Sequence, residues 1–381
     1  MNTRIAQKSD IKAIREMWKD YYGLSQNFCD WFFNRAFYSQ NSIVVTEDDT
    51  IAASSGFIPY QLSLGEKSVS AAYIAGTVTL PEYASEAFSR QLLADTLLTI
   101  NSKDIPISFL IPHKYSFYEK YGFRICYSFK QYTLTPEAIP GFSVRHRIER
   151  HKISPKIIEE LNGIYERYMT DKNGYVIRDE EAWKLILEDL TANFGGKTAI
   201  AYNKNAEACG YILYVVHDGI MGIYEMAYDD RITYESLMGY IKGHELSVGK
   251  ITVKTDMNDL SYLDFCDNRN PIAVYPFVMA RINNVKEALL ECAADIEETV
   301  KLGVVDRLLE DNNRTFCISK DSVEETSEEP EAVADIGTLT MLLFGYISPE
   351  EAMKQGLLTG NIKAVSVLFE KKNNFINMLY F

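Results

Sequence analysis

The sequence predicts a mixed α/β (α+β) protein with two similarly ordered halves and a smaller third α/β part. Three observations predict it. The first is the order of elements β-α-α-β-β-β-α-β-α-β, readable over residues 1–140 from apolar periodicity and turn residues. The second is the return of much of that order, two helices, three strands, helix and strand, over residues 141–276. The third is a change of texture over residues 277–381, where apolar segments and short capped helices surround an acidic stretch. At roughly 150 residues per domain, 381 residues suit two or three domains.

The first part reads as follows. Residues 2–6 form a short strand, and Ser9-Asp10 caps an amphipathic helix with Ile11, Ile14, Met17 and Trp18 on one face. A second helix, Ser25 to Phe37, carries Phe28, Trp31, Phe32 and Phe33, which serve either as core or as one wall of a pocket. Ser42–Thr46, Ile51–Leu64 and Val69–Leu80 make a β-meander, with turns at Glu47-Asp48-Asp49 and Gly65-Glu66. Pro81 ends it. A helix from Glu82 to Ile100 presents Leu92, Leu93, Thr96, Leu97 and Ile100 on one stripe.

The stretch from Ile107 to Phe123 is the centre of this part. Ile107–Ile111 is a short apolar strand, Pro112 stops it, His113–Tyr121 is one short helix and Gly122 its C-cap. A last strand runs from Phe123 to Leu134. The aromatic spacing of Phe117, Tyr118 and Tyr121 also describes an ordinary helix with aromatic core residues.

Thr135-Pro136-Glu137-Ala138-Ile139-Pro140-Gly141 is a linker. Past it, Ser154-Pro155 opens a helix to Met169, and another spans Asp179–Leu190. Strands follow at 197–202, 208–216 and 219–228, with Asp218-Gly219 as a hairpin turn, then a helix over 233–245 and a strand over 250–254. In the third part, Met279–Val285 is strand-like, Val285–Cys292 a helix and Thr326–Asp335 a solvated loop rich in Glu, Ser and Pro. Ile336–Gly345 is apolar, Ser348-Pro349-Glu350-Glu351 starts a short helix, and Asn361–Phe369 includes another.

Composition narrows the function. The net charge of -14 argues against nonspecific nucleic-acid binding and is compatible with cationic substrates. No window approaches the roughly 18 apolar residues of a membrane span, and the first ten residues lack an apolar signal core. The six cysteines lie far apart, without a Cys-x-x-Cys pair, and the five histidines do not cluster with them. No metal site is therefore expected, and free thiols in a cytoplasmic setting are.

Phe117-Tyr118-Glu-Lys-Tyr121-Gly122-Phe123 after a strand resembles the last helix of the GCN5-related N-acetyltransferase (GNAT) family. The three parts in this order resemble the Eis-like (enhanced intracellular survival) acetyltransferases, with a GNAT domain (1–140), a degenerate GNAT-like domain (141–276) and a sterol-carrier-like domain (277–381). The segment Gly337-Thr-Leu-Thr-Met-Leu-Leu-Phe-Gly-Tyr346 carries the third part of the resemblance. The second part has no Tyr-x-x-x-Gly-Phe counterpart, since Tyr262-Leu-Asp-Phe-Cys-Asp is a poor substitute, so it is read as lacking a site of its own.

The resemblance implies acetyl-CoA as cosubstrate and a small-molecule or lysine amine as acceptor. It implies Tyr118 as general acid toward the coenzyme A thiolate. Backbone N–H groups around Val78, Thr79 and Leu80 would polarise the thioester carbonyl. Ser85, Ala87 and Ser89 fall where the pyrophosphate loop belongs. The apolar ending, Phe375-Ile-Asn-Met-Leu-Tyr-Phe381, is expected to be buried, and the resemblance makes the α-carboxylate of Phe381 the general base. That carboxylate has a reference pKa of roughly 3.5, so burial and position must make it a base. A homo-oligomer, a hexamer or ring of trimers, is implied too.

Two departures stand out. The family's Arg/Gln-x-x-Gly-x-Gly/Ala loop is replaced by Ala84-Ser85-Glu86-Ala87-Phe88-Ser89, without glycines or a leading cation. The acidic penultimate residue of some relatives is Tyr380, so their preference for cationic substrates does not transfer. A noncatalytic binding protein on the same scaffold is the rival these departures favour. A lipid carrier in the third part is a weaker one, because core packing explains its apolar segments.

Overall fold

The computed structural model describes residues 2–47, 50–265, 270–292, 296, 298–320 and 322–377. The chain begins with β1 (Asn2–Ile5), α1 (Ile11–Tyr22), α2 (Gln26–Arg35), β2 (Ser42–Glu47), β3 (Thr50–Leu64) and β4 (Lys67–Thr79). It continues with α3 (Glu86–Asn101), β5 (Ile107–Leu110), α4 (Tyr115–Glu119) and β6 (Arg124–Ile125). These bounds follow local chemistry. The Ser25 hydroxyl accepts from the Phe28 N–H at 3.1 Å and opens α2, while Gly23, in the left-handed region, ends α1.

Next come β7 (Ser128–Leu134), β8 (Arg147–His151), α5 (Pro155–Tyr168), β9 (Tyr175–Val176) and α6 (Glu180–Glu188). Then follow β10 (Lys197–Tyr202), β11 (Ala208–His217), β12 (Ile220–Tyr228), α7 (Arg231–Lys242), β13 (Lys250–Thr255) and β14 (Ile272–Pro276). The last part has β15 (Met279–Ile282), α8 (Val285–Cys292), β16 (Val300–Val305), β17 (Thr315–Ser319) and β18 (Ser322–Thr326). It closes with β19 (Ala332–Asp335), α9 (Ile336–Leu343), α10 (Pro349–Lys354), β20 (Leu358–Gly360) and α11 (Ile362–Ser366).

The chain packs as two compact units that its linear order does not follow. One holds the residues up to Tyr127 with Phe277–Lys372; the other holds Ser128–Pro276 with the segment beginning at Asn373. The first unit contains a sheet in the order β1-β2-β3-β4-β5-β15-β6 and a second sheet in the order β18-β17-β16-β19-β20. The other unit contains the sheet β14-β7-β13-β12-β11-β10-β8.

The expected single strand Phe123–Leu134 is therefore corrected. It is two strands in two sheets: β6 pairs with β15, whereas β7 pairs with β13 and β14. Nothing in the alternation of apolar residues marks the break at Cys126-Tyr127, because both are fully buried and read as strand. The solvated loop expected over 326–335 is shorter than that: Ala332–Asp335 is β19, parallel to β16, with Ala332 and Ala334 buried. The apolar run from Ile336 is a helix with all eight residues buried, capped by Asp335.

In the first unit, one apolar cluster joins Ile43, Val45, Phe57, Ile74, Leu92, Leu97, Phe123 and Met279. Another joins Trp18, Phe28, Phe32, Phe33, Val44 and Val78. Phe28, Phe32 and Phe33 are thus core residues, which decides between the two readings of the second helix. Arg281 of β15 is completely buried and makes two hydrogen bonds to Asp306, at 2.9 and 2.7 Å.

Candidate active site

The site is assembled where β4 and β5 part. These two strands pair in parallel only over Ala71–Tyr73 and Ile107–Phe109. Beyond Tyr73, β4 continues to Thr79 along β3 while β5 ends at Leu110, so a wedge opens on that side. The register of β3 and β4 slips between Ser54 and Gly56, so that Gly76 and Thr77 together oppose Ser55. This is a β-bulge, and a glycine inside an apolar strand is its usual mark.

Gly76 is required for two reasons. Its φ is +63°, and a Cβ built on it would lie 1.7 Å from Cζ2 of the buried Trp18. Gly76→Ala is expected to destabilise the fold by about 2–4 kcal/mol, from overpacking plus the left-handed backbone. Urea unfolding measures this; an unchanged midpoint would show that Trp18 can move aside.

The bulge aims Thr77 at Tyr118. The Thr77 hydroxyl is 3.0 Å from the Ser55 hydroxyl and is near enough to the Tyr118 phenol to pull its pKa down, and the Tyr22 hydroxyl donates to the Thr77 carbonyl at 3.1 Å. Tyr118 lies on α4, held edge-on by Phe117 at 4.9 Å and Phe123 at 5.8 Å. Gly122 follows α4 with φ +85°, and a Cβ there would stand 2.6 Å from Ile336.

Burial pushes the Tyr118 phenol up to about 12, with Thr77 pulling it down and Tyr21 adding to the rise. The Tyr73 phenol is raised by burial and then by Tyr60, Tyr22 and Tyr118. The electrostatic neighbours of Tyr118 are thus other phenols.

The helix after β4 provides backbone donors. Ser85 caps α3: its hydroxyl accepts from the Phe88 N–H at 3.3 Å, and its carbonyl accepts from the Ser89 N–H at 3.2 Å. That leaves the Glu86 and Ala87 N–H groups as the donors of the first turn without an intrahelical role. Phe88 packs against the same cluster as Tyr118, so the start of α3 and the end of α4 meet one core.

The predicted residues separate in the structure. Tyr118 meets the bulge, and Ser85, Ala87 and Ser89 stand at the start of α3. The Val78 side chain is turned into the Trp18 cluster, so only its backbone can serve a ligand. The Leu80 N–H does not face the wedge: it donates to the Ala52 carbonyl at 2.9 Å, continuing the β3–β4 ladder. In an antiparallel ladder consecutive residues alternate direction, so the Thr79 N–H points away from β3. Phe381 lies outside the described residues, as does Tyr380. Sequence reasoning missed Tyr22 and Thr77. Gly76 within an apolar strand was a usable signal for the second, whereas nothing in a helix-terminal Tyr21-Tyr22 pair points to the first.

The comparisons with known proteins bear on the fold. Residues 2–126 match a family model described as an acetyltransferase (GNAT) domain, residues 174–282 another of the same description, and residues 285–377 a sterol carrier protein domain. No curated protein sequence matches the chain. Among solved structures, a conserved protein of unknown function from Enterococcus faecalis V583, called "Probable N-Acyltransferase", is similar with 23% identity, TM-score 0.87 and 100% of both chains covered. A GCN5-related N-acetyltransferase from Anabaena variabilis is similar with 21% identity, TM-score 0.85 and 98% of both chains covered. Eis1 from Mycobacterium abscessus is similar with 18% identity, TM-score 0.80 and 100% of both chains covered. At these identities the likeness is one of fold. The chain is a mixed α/β protein with two acetyltransferase (GNAT) domains followed by a sterol-carrier domain.

Proposed function

We propose that this chain is an N-acyltransferase that moves an acetyl group from acetyl-CoA to an amine of a small molecule or a lysine side chain. The observation that carries the reading is the meeting of Tyr118 with the β4 bulge beside an open wedge between parallel strands. The family match over residues 2–126 supports the class of reaction.

Acetyl-CoA would supply the thioester and a diphosphate. The Glu86 and Ala87 N–H groups would hold the diphosphate at the positive end of α3, with the Ser85 and Ser89 hydroxyls nearby. The Thr79 N–H would polarise the thioester carbonyl, the part expected of Leu80 and closed to it by the bond to Ala52. The Phe381 carboxylate would take the amine proton, directly or through water. Its support is the burial of Phe375, Ile376 and Asn377 just before it. Tyr118 would deliver its phenolic proton to the departing sulfur, and Thr77 and Tyr22 would fix the direction of that phenol.

Calorimetry with acetyl-CoA tests the reading: one molecule binds per chain, and transfer to an amine follows. No binding would leave a noncatalytic protein on this scaffold, the alternative that a loop without glycines favours. A second test concerns the chain end. A few residues appended after Phe381 abolish transfer in folded protein, whereas the same tag on the amino-terminus leaves the rate unchanged. Equal rates would remove the terminal carboxylate from the mechanism. The expected homo-oligomer is checked by sedimentation at micromolar concentration, where a monomer would refute it.

A further inference from the structure

The second unit has the same wedge as the first. Its strands β12 and β13 pair in parallel over Ile220–Ile223 and Lys250–Val253 and then part. A register slip follows at once, because Leu213 opposes Glu225 while Tyr214 opposes Ile223, leaving Tyr224 as the extra residue of a bulge on β12. A bulged residue lacks a cross-strand partner, so its backbone must find one elsewhere. In the first unit the bulge carbonyl of Thr77 is taken by the Tyr22 hydroxyl from α1. In the second, the bulge carbonyl of Tyr224 is taken by the side-chain amide of Asn377.

Asn377 ends a run that crosses the wedge. At the other end, the Asn373 amide donates to Asp256, the residue after β13, at 3.1 Å. In between, the Asn173 N–H donates to the Asn373 carbonyl at 2.8 Å, and the Phe375 N–H donates to the Asn173 carbonyl at 3.0 Å, an extended pairing in parallel register. Arg178 closes the far end. It donates to the Asn377 carbonyl at 3.3 Å while holding Glu225 with two bonds of 2.7 Å, and its guanidinium lies 3.9 Å from the centre of the Tyr165 ring. Asn374, Phe375, Ile376 and Asn377 are all buried.

We propose that the wedge of the second unit is a peptide-binding groove, and that its built-in ligand is the chain's own segment Asn373–Asn377. The groove recognises an extended peptide by backbone pairing with Asn173, two carboxamides four positions apart, and two apolar side chains between them. It is filled by peptide, which gives the second unit a binding role without catalysis. The proposal stands whether or not the first unit transfers acetyl groups.

The test uses hydrogen exchange on the full-length chain. The Phe375 amide is strongly protected in the parent protein. Asn373→Ala with Asn377→Ala speeds its exchange by roughly 10–100-fold, the loss of two part-buried side-chain hydrogen bonds. A Phe375 amide that exchanges freely in the parent, or at the same rate in the double variant, would overturn the proposal. A second measurement covers reversibility. A chain ending at Lys372 has a lower Tm, and a synthetic peptide of residues 373–381 added to it restores the Tm, whereas the same peptide with Asn377→Ala restores less. If the shortened chain is less folded, the parent peptide must still bind and order it; a shortened chain that keeps its Tm and ignores the peptide refutes the groove.

Discussion

Tyr118→Phe lowers turnover by roughly 10²-fold or more and leaves acetyl-CoA binding nearly unchanged. The substitution removes one oxygen and keeps the ring, so the edge-on contacts with Phe117 and Phe123 survive. What is lost is the phenolic proton that the proposed mechanism delivers to the leaving sulfur. An effect on transfer without an effect on affinity means that the interaction belongs to the transition state. The pH profile gives a second readout. A tyrosine at its ordinary value of roughly 10 would begin to lose its proton above pH 9, and the rate would fall with it. Because burial pushes Tyr118 up to about 12, it remains protonated, and kcat/KM shows no alkaline limb from this residue up to pH 10. Parent-like turnover in Tyr118→Phe would return Tyr118 to packing alone, and the phenol cluster would then have no acid.

Asp306→Ala costs about 3–5 kcal/mol of stability, the range for breaking a buried ion pair from one side. Arg281 is completely buried, and its two bonds to Asp306 are the compensation for burying its charge. Asp306 also accepts from the Leu308 and Leu309 N–H groups and from the Asn312 amide, so its loss strands several donors at once. Replacing both partners, Arg281→Met with Asp306→Ala, is expected to recover part of the loss, since neither charge is then left alone. Urea unfolding of the three variants measures the coupling. A double variant no better than Asp306→Ala would show that the bonds to the loop, rather than the charge pair, carry the stability.

Much of the fold was legible because local signals agreed with the tertiary answer. Ser25, Ser154, Asp179 and Ser348 each cap the helix they were expected to open, and the meander of β2 to β4 follows its turn residues. The short helix that carries Tyr118 was legible too, though it is five residues long rather than nine. What could not be read was the partnering of strands. β7 mixes polar and apolar residues and β15 is only four residues long, and no property of either records which sheet it joins. The direction of the Leu80 N–H was hidden for a related reason. It depends on the bulge at Gly76 and Thr77, since one extra residue reverses which amides face the neighbouring strand. The tail was expected to be buried, and through Asn377 it is; the groove that takes it needed a bulge in a different strand to be visible.

The placement of β15 between β5 and β6 sets a timetable for synthesis. When Tyr127 leaves the ribosome, β1 to β6 exist, and the strand that lies between β5 and β6 does not. β5 and β6 have no direct pairing to fall back on, so each waits with an unmatched edge until residues 279–282 emerge. At bacterial or eukaryotic elongation speeds, the intervening residues take roughly ten to thirty seconds to make. The nascent amino-terminal part therefore spends that interval as a substrate for chaperones or for wrong edge pairing. A gene fragment ending near residue 127 is accordingly expected to give insoluble product, and messages that slow translation within the second unit are expected to lower the yield of the first.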